Sequence, residues 1–448
     1  MNVSTSDRSH LRTEVWLPRN YTGRFLSTGN NGMSGCVKQD DLSFATKFGF
    51  ASVGTNAGHD GDTAEYFLGN PEVLADYAYR SVHVGSVVGK KVTELFYSQG
   101  YNTSYYLGCS TGGRQGYQSV QRYPDDFDGV VAGSAAFNFV NLISWGGYLY
   151  NVTGTTEDAD FISIDKWSTI HEEIMRQCDT IDGAKDGIIE DPDLCSPILE
   201  TLICNETTSA NSSSCITGRQ ANIANLALSD FYGPEGKLYY PRLQPGAEAD
   251  SAAIYFSGSP FSTLMTWYRY VVYNDSTWNA SSWTPESAKL ALDQNPFNVE
   301  SFDANISAFR NRGGKLLAYH GMQDPIISST NSKLYYRRVA DALNQPPAEL
   351  DNFFRFFPIS GMGHCGSGAG ASYIGQSWDT YSDEAPENNM LATIVNWVEK
   401  GIAPEYVRGA KLDASGSVEY MRKHCRYPQR NIFTGPGNYT SEDAWRCI

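Results

Sequence analysis

The stretch Tyr105-Tyr-Leu-Gly-Cys-Ser-Thr-Gly-Gly-Arg-Gln115 contains the pattern that decides the fold. Its apolar start is typical of a buried strand, and its middle matches G-x-S-x-G with Ser110 at the centre. A strand, a sharp turn carrying a serine and a helix together form a nucleophile elbow, in which small neighbours let the strained turn pass close to the sheet. We therefore predict that Ser110 is a nucleophile and that the backbone N–H of Thr111 stabilises an oxyanion. The alternative is a glycine-rich turn with an incidental serine.

Strand and helix patterns alternate on both sides of this stretch, which predicts an α/β fold with a parallel sheet and crossover helices. Strands are predicted at Arg12–Leu17, Gly23–Leu26, Phe48–Thr55, Ser104–Leu107, Gly129–Ala132, Lys315–Tyr319 and Phe353–Pro358. Helices are predicted at Pro71–Tyr97, from Gly112 to about Arg122, and at Val299–Arg310, Ser329–Leu343 and Asn389–Lys400.

The alternation stops after about Phe137, which indicates an insertion. Residues 138–295 contain five of the ten Asn-X-Ser/Thr sequons and four of the nine cysteines. A chain of 448 residues is long enough for two or three structural units. We predict a catalytic domain formed by residues 1–137 and 296–448, with an inserted lid domain at 138–295.

A serine nucleophile needs a base and an orienting acid, and two loops can supply them. His364 lies in Ile359-Ser-Gly-Met-Gly-His-Cys365, a glycine-rich loop just after a late strand. Asp324 lies in Leu316-Leu-Ala-Tyr-His-Gly-Met-Gln-Asp-Pro325, shortly past an earlier strand. The order Ser110, Asp324, His364 is that of α/β-hydrolases and differs from the orders in chymotrypsin and subtilisin. A surface-turn aspartate is the alternative for Asp324.

Three further residues are weaker candidates. His320 ends the strand before Asp324 and either lines the site or packs as a structural histidine. His59 is expected to be structural. A second oxyanion donor is expected from Gly32, in the loop Gly29-Asn-Asn-Gly32 that follows a strand.

The cysteines suggest disulfides rather than a metal site, because no CxxC pair is present. Cys109 precedes Ser110 and Cys365 follows His364, so these cysteines come within disulfide range if the serine and histidine are hydrogen-bonded. The other closely spaced pairs are Cys178 with Cys195, Cys204 with Cys215, and Cys425 with Cys447. Cys36 is left unpaired, and free buried thiols are the alternative throughout.

Charge and sequons indicate the compartment. The net charge is −16 and no Lys/Arg cluster is present, which disfavours nucleic acids and anionic membranes as partners. No apolar run reaches the length of a membrane span. The ten sequons, at Asn2, Asn20, Asn102, Asn151, Asn205, Asn211, Asn274, Asn279, Asn305 and Asn438, predict a secreted glycoprotein with N-linked glycans.

The opening residues Met1–Arg8 are polar and do not form a signal peptide. The cysteine count is also odd. Both features lead us to expect that the natural precursor begins upstream and contains a signal sequence, about one strand and a partner for Cys36. A cytosolic variant or a free thiol at Cys36 is the alternative.

Cys-Ser, a strand-end Asp and His-Cys together resemble the tannase and feruloyl esterase family. The resemblance covers most of the chain, from Thr13-Glu-Val-Trp-Leu-Pro18 through Gly108–Gln115 to Met362–Cys365, and it is closest to the fungal type B feruloyl esterases. It implies an α/β-hydrolase fold with an inserted lid, and a disulfide that joins the neighbours of the triad. It also implies hydroxycinnamate esters of plant cell-wall polysaccharides as first substrates, galloyl esters second and other small aromatic esters third. A hydrolase-like, calcium-dependent binding module is the main alternative that is not an enzyme.

An acidic, glycine-rich loop lies between Cys178 and Cys195. The carboxylates of Asp179, Asp182 and Asp186 can converge if the chain turns at the glycines of this loop, and close carboxylates repel each other unless a cation neutralises them. With the backbone carbonyls of Ala184 and Ile188 they would form an oxygen cage, and the family resemblance implies calcium there. A solvated acidic turn is the alternative. We expect the ion to be structural.

The insertion is rich in aromatic residues, as is the whole chain at 13%. Most of them should be core, while a few should stack on a planar acid. The sequence does not show which of them are core residues and which are stacking residues. The candidates are Tyr239, Tyr240, Tyr255, Phe256, Phe261, Trp267, Tyr268, Tyr270 and Tyr273.

Overall fold

A computed structural model describes residues 1–205, 213–377, 385–435 and 437–448. Its strands are β1 Asn2–Ser6, β2 Ser9–Trp16, β3 Arg24–Thr28, β4 Phe50–Thr55, β5 Thr103–Cys109, β6 Gly129–Gly133, β7 Phe231–Tyr232, β8 Leu238–Tyr240, β9 Lys315–Gly321, β10 Phe354–Ile359, β11 Tyr406–Leu412, β12 Val418–Cys425, β13 Asn431–Phe433 and β14 Trp445–Cys447. Its α-helices are α1 Gln39–Lys47, α2 Pro71–Ala75, α3 Ser81–Tyr97, α4 Thr111–Arg122, α5 Phe139–Thr153, α6 Ile164–Cys178, α7 Gly218–Ala227, α8 Glu248–Ala252, α9 Ser262–Trp267, α10 Pro285–Gln294, α11 Ser307–Asn311, α12 Ser329–Leu343, α13 Pro347–Leu350 and α14 Met390–Lys400.

Eight strands form one mixed sheet in the order β1-β2-β4-β3-β5-β6-β9-β10. The six strands from β4 to β10 in this order are parallel, while β1 and β2 pair antiparallel at one edge. Parallel strands are covered on both faces by other elements. β4 and β6 accordingly consist mainly of small and β-branched residues, and every residue in them is buried. The carboxyl ends of β5, β9 and β10 therefore lie at the same edge of the sheet.

Helices cover both faces of this sheet. On one face, Val82 of α3, Tyr117 of α4 and Tyr335 of α12 belong to the same buried cluster as Phe25 of the sheet. On the other face, Phe44 of α1 and residues of α14 pack against β5, β9 and β10. This is the predicted α/β-hydrolase architecture, with α4 directly after the central strand β5.

Two helix predictions differ from the structure. The predicted helix Pro71–Tyr97 is α2 and α3, joined by a π-helical turn at Asp76–Arg80. The predicted helix Val299–Arg310 is wrong over most of its length, because only α11 forms there. The side chain of Asp303 accepts the N–H of Asn305 at 3.0 Å, so a local side-chain turn competes with the helix.

The segment between β6 and β9 contains α5 to α10 and the hairpin of β7 and β8. Its core includes Trp145, Trp167 and Trp267, and the same buried cluster continues into Phe67 and Tyr77, which precede the insertion in the chain. The domain boundaries at 137/138 and 295/296 stay a prediction, since one core crosses them. Among the described residues, no helix combines the length and apolar composition needed to cross a membrane.

Candidate active site

Ser110 lies in the sharp turn between β5 and α4. Its φ is +63° and its ψ −123°, a strained conformation for a residue with a side chain. Glycines on both sides allow the close packing of this turn: a Cβ on Gly108 would lie 2.7 Å from the backbone of Gly112, and one on Gly113 would lie 2.3 Å from the carbonyl oxygen of Gly133. The predicted elbow is therefore present, with the serine at the end of the central strand.

His364 and Asp324 complete a hydrogen-bonded line with Ser110. His364 Nε2 lies 2.9 Å from Ser110 Oγ, and His364 Nδ1 lies 2.7 Å from Asp324 Oδ2. The other oxygen of Asp324 accepts the N–H groups of Ile326 and Ile327, both at 2.9 Å. Burial raises the pKa of Asp324, but the nearby His364 and the hydrogen bonds from both histidines outweigh it and hold the pKa below its ordinary value. Asp324 is thus suited to remain ionised while it orients His364.

His320 is a second imidazole on the same carboxylate, which sequence reasoning left undecided. Its Nε2 lies 3.2 Å from Asp324 Oδ2 and 3.1 Å from the carbonyl oxygen of Ile327. Both of these atoms are acceptors, so Nε2 carries the proton and Nδ1 accepts from the hydroxyl of Ser332 at 2.7 Å. His320 is fully buried and supports Asp324 without a hydrogen bond to Ser110. The sequence signal for this contact was the short spacing of four residues between His320, at the end of a strand, and Asp324.

A disulfide joins the residues next to the serine and the histidine. Cys109 and Cys365 are bonded with their Cα atoms 5.9 Å apart and 256 positions apart in the sequence. The other three predicted pairs, Cys178–Cys195, Cys204–Cys215 and Cys425–Cys447, are also present. Cys36 is exposed and forms no disulfide with any other cysteine, all of which are described.

A sequence model of the family described as "Tannase and feruloyl esterase" matches residues 1–300 and 266–448. The chain belongs to the tannase and feruloyl esterase family. It is 69% identical over 448 residues to a protein named feruloyl esterase B from Aspergillus niger, covering all of this chain and 86% of that protein. It is 58% identical to a probable feruloyl esterase B-1 from Aspergillus fumigatus, with 85% of that protein covered.

Solved structures give the same family. The crystal structure of feruloyl esterase B from Aspergillus oryzae is similar at a TM-score of 0.98 and 54% identity, covering 100% of this chain and 89% of that one. The tannin acyl hydrolase from Aspergillus niger has a TM-score of 0.81 at 22% identity, covering 99% of this chain and 84% of that one, which shows a shared fold. The family resemblance and the fold class read from the sequence are confirmed.

The predicted oxyanion residues lie side by side in this family member. Thr111 is the first residue of α4, where backbone N–H groups have no partner within the helix. Its hydroxyl donates to the carbonyl of Gly32 at 2.7 Å, and the hydroxyl of Tyr77 donates to the same carbonyl at 3.0 Å. His59 supports the same loop, since its Nε2 donates to the carbonyl of Met33 at 2.7 Å. The geometry places Gly32 beside Thr111, while its role as a donor stays a prediction.

Arg114, one turn after Ser110, is fully buried behind this loop. Its guanidinium donates to the carbonyls of Ala78 at 2.9 Å and Tyr77 at 3.0 Å, and it stacks on the Tyr77 ring at 4.9 Å from the centroid. Both carbonyls belong to the π-helical turn at 76–80. The π-helical turn thus has a structural role: its carbonyls point toward Arg114, and their hydrogen bonds with Arg114 help to position Tyr77.

The acidic loop turns at both of its glycines, as predicted. Asp179 accepts the N–H groups of Asp186 at 3.2 Å and Gly187 at 2.9 Å, and Asp182 accepts that of Ala184 at 2.8 Å. Asp186 accepts the N–H of Ile188 at 3.2 Å. Each carboxylate thus binds the backbone through one oxygen, which leaves its second oxygen for another partner.

The second oxygen of Asp182 is buried and has no hydrogen-bond partner among the described residues. Burial, together with the nearby carboxylates of Glu190 and Asp186, raises the pKa of Asp182 to about 7. Asp186, by contrast, pairs with Arg422 at 2.9 Å. No group of three or more His, Cys, Asp and Glu side chains is arranged as a metal site in the parts of the chain that the structure describes. The orphaned oxygen of Asp182 nevertheless fits a hard cation whose remaining ligands include backbone carbonyls.

The insertion supports the acid of the triad directly. The hydroxyl of Ser251 donates to the carbonyl of Pro325 at 2.8 Å, and that of Tyr255 donates to the carbonyl of Ile326 at 2.9 Å. Six of the nine aromatic residues predicted as core or stacking residues are buried in the insertion, and three are partly or fully exposed: Phe261, Tyr270 and Tyr273. Of the nine, only these three retain exposed ring surface.

Proposed function

We propose that the chain is a serine carboxylic ester hydrolase that releases hydroxycinnamic acids, such as ferulate, from esters. The observation that carries the chemistry is the line of hydrogen bonds from Ser110 through His364 to Asp324. The choice of acid is supported by the 69% identity to a relative named feruloyl esterase B.

The reaction follows from the positions of these three side chains. His364 Nε2 takes the proton of Ser110 as Oγ attacks the ester carbonyl, and Asp324 stabilises the resulting imidazolium. The carbonyl oxygen becomes an oxyanion, for which the backbone N–H groups of Thr111 and Gly32 are the donors. The tetrahedral intermediate expels the alcohol, which takes the proton from His364 and leaves the acyl group on Ser110. His364 then deprotonates a water molecule, which attacks the acyl-enzyme, and it returns this proton to Ser110 Oγ as the acyl–oxygen bond breaks and the acid leaves.

Ferulate is preferred over gallate on two grounds. The tannin acyl hydrolase shares the fold at only 22% identity, far below the feruloyl esterase relatives. A galloyl ring also carries three hydroxyls, and a buried hydroxyl without a partner costs about 1–3 kcal/mol. The insertion is rich in aromatic residues, of which Phe261, Tyr270 and Tyr273 are not buried, and ring surface suits a longer and more apolar acid.

We also propose that calcium occupies the acidic loop as a structural ion. The side chains of Asp179, Asp182 and Asp186 and the carbonyls of Ala184 and Ile188 would hold it. The support is the orphaned oxygen of Asp182 and the oxygen-only donor set.

Secretion and N-glycosylation are a further part of the proposal. The support is the four disulfides and the exposure of every sequon asparagine that the structure describes. The sequon asparagine at 211 lies outside the described residues.

One comparison tests the activity and its substrate. We expect kcat/KM to be highest for methyl ferulate or methyl caffeate, measured beside methyl gallate and a terephthalate monoester on one preparation. Ser110→Ala should abolish both turnover and labelling by a serine-reactive phosphonate. A tenfold preference for gallate, about 1.4 kcal/mol of transition-state binding, would overturn the choice of substrate. Equal labelling of wild type and Ser110→Ala would overturn the mechanism.

A further inference from the structure

Glu190 lies near the end of the acidic loop and is a buried acceptor for three separate segments of the chain. Its Oε1 accepts from the hydroxyl of Ser360 at 2.7 Å and from the amide of Asn431 at 2.5 Å. Its Oε2 faces Arg422, with 3.3 Å between Oε2 and Nη1. The carboxylate therefore joins the loop before His364 to the two C-terminal strand pairs.

Ser360 is the first residue after β10 and precedes His364 by four positions. Between them the chain reads Gly-Met-Gly, so Ser360 is the one polar side chain in this connection besides His364 itself. Glycine-rich connections lose much conformational freedom when they are fixed. The hydrogen bond from Ser360 thus fixes the connection on the β10 side of His364, as the Cys109–Cys365 disulfide fixes it on the other side.

The proton of Ser360 has a defined direction. His424 Nε2 lies 2.8 Å from the carbonyl oxygen of Ala371, so Nε2 carries the imidazole proton. Burial lowers the pKa of His424 to about 4, which leaves its Nδ1 as an acceptor, 3.3 Å from Ser360 Oγ. A hydroxyl has one proton, and the nearer acceptor is Glu190 at 2.7 Å. Glu190 therefore receives this hydrogen bond.

The turn that Ser360 anchors also contacts the acid loop of the triad. The N–H of Gln323 donates to the carbonyl of Met362 at 2.9 Å, and Gln323 precedes Asp324. A Cβ on Gly361 would lie 3.3 Å from the side chain of Ile188, so the acidic loop packs against the same turn. A shift of this turn would move His364 relative to both Ser110 and Asp324.

We propose that Glu190 is a positioning residue for His364 and acts through the hydroxyl of Ser360. This inference rests on the proposed function, because it assigns a role within the same reaction. Arg422 extends the connection, since it bridges Glu190 and Asp186 while stacking on Trp445 at 3.8 Å from the ring centroid. The acidic loop is thereby linked to the geometry of the catalytic histidine.

The two oxygens of Glu190 allow the positioning role to be separated from stability. In Glu190→Gln the amide oxygen can replace Oε1 and still accept from Ser360 and Asn431, while the amide nitrogen faces the guanidinium of Arg422. The buried guanidinium of Arg422 then loses one of its carboxylate partners, so the stability of the fold should fall. Ser360→Ala removes the hydrogen bond between Ser360 and Glu190 but leaves the ion pair of Glu190 with Arg422 intact. Asn431→Ala is the matched control, since it removes the other hydrogen bond to Oε1.

The experiment measures three quantities for wild type and these three variants. They are the melting temperature, kcat and KM for methyl ferulate per mole of phosphonate-titratable site, and the rate constant for phosphonate labelling of Ser110. Ser360→Ala should lower kcat and the labelling rate at least tenfold, with KM within about twofold, because small displacements of a catalytic group cost this much. Asn431→Ala should stay within threefold of wild type in both rates. Glu190→Gln should melt several degrees lower and keep both rates within threefold.

Equal losses of rate in Ser360→Ala and Asn431→Ala would overturn the proposal, as would a Glu190→Gln variant that loses rate as strongly as Ser360→Ala. A wild-type protein that labels at Ser110 but hydrolyses no aromatic ester would refute the proposed substrate. The labelling rates would still test the positioning role in that case.

Discussion

Replacing both cysteines of the Cys109–Cys365 disulfide should destabilise the protein more than replacing any other pair. In the chain-entropy account, a disulfide stabilises the fold by restricting the unfolded chain, and the effect grows with the logarithm of the loop length. The two cysteines are 256 positions apart, which gives about 5.5 kcal/mol at 25 °C. Cys204 and Cys215 are 11 positions apart, which gives about 2.8 kcal/mol.

The assay is equilibrium unfolding in urea of C109A/C365A and, as the matched control, C204A/C215A, with the other three disulfides intact in each. The first variant should lose about 2.7 kcal/mol more of its unfolding free energy than the second. Its kcat should also fall, because Cys365 is bonded to the residue before Ser110 and so restricts the distance between Ser110 and His364. Equal destabilisation of the two variants would refute the argument from loop length, and an unchanged kcat would refute the role of the disulfide in holding nucleophile and base together.

Three further predictions concern single residues. Asp324→Asn keeps an oxygen for the two backbone N–H groups but presents its NH₂ to His364 Nδ1, which forces the wrong tautomer of His364. The value of kcat should therefore fall about 10⁴-fold. A loss below tenfold would contradict the role assigned to Asp324. Calcium should raise the melting temperature of wild type and of the control Asp165→Ala relative to chelator, but not that of Asp182→Ala, and an equal response in all three would place the ion elsewhere. The pKa of His424 is lowered by burial to about 4, so between there and 6.5 only the unfolded chain binds this proton and stability rises with pH. Urea unfolding of His424→Gln should show a rise smaller by about 3 kcal/mol over this window, and identical pH profiles would rule out the linkage.

The parts of the fold that sequence could predict are those fixed by local patterns. The elbow at Ser110 is read from its strand, its glycines and the helix that follows, all within a short stretch. Asp324 and His364 could be placed because each follows a buried strand, and parallel strands bring such residues to one edge of the sheet. The disulfide from Cys109 to Cys365 then follows from the proximity of its neighbours.

The parts that could not be predicted depend on contacts between distant segments. The π-helical turn at 76–80 interrupts a continuous helical pattern, and its carbonyls bind Arg114, which lies over thirty residues further along the chain. His320 had two readings until its distance to Asp324 was known, since a buried histidine at a strand end fits either. At Val299–Arg310 the apolar spacing predicts a helix that does not form over most of this range. Local hydrogen bonds, such as that of the Asp303 side chain, determine the backbone conformation there instead.

The close crossing of the Gly29–Gly32 loop over the start of α4 limits which parts of this enzyme can change. A Cβ on Gly29 would lie 2.5 Å from the Cα of Gly112, so a single added methyl group would displace the Gly29–Gly32 loop. Packing is less tight at Phe261, Tyr270 and Tyr273, none of which is buried. In a saturation mutagenesis library, active clones should therefore be rare at Gly29 and Gly112 and more frequent at these three aromatic positions. Substitutions can therefore accumulate at these positions of the insertion while the serine turn and the loop that crosses it stay fixed.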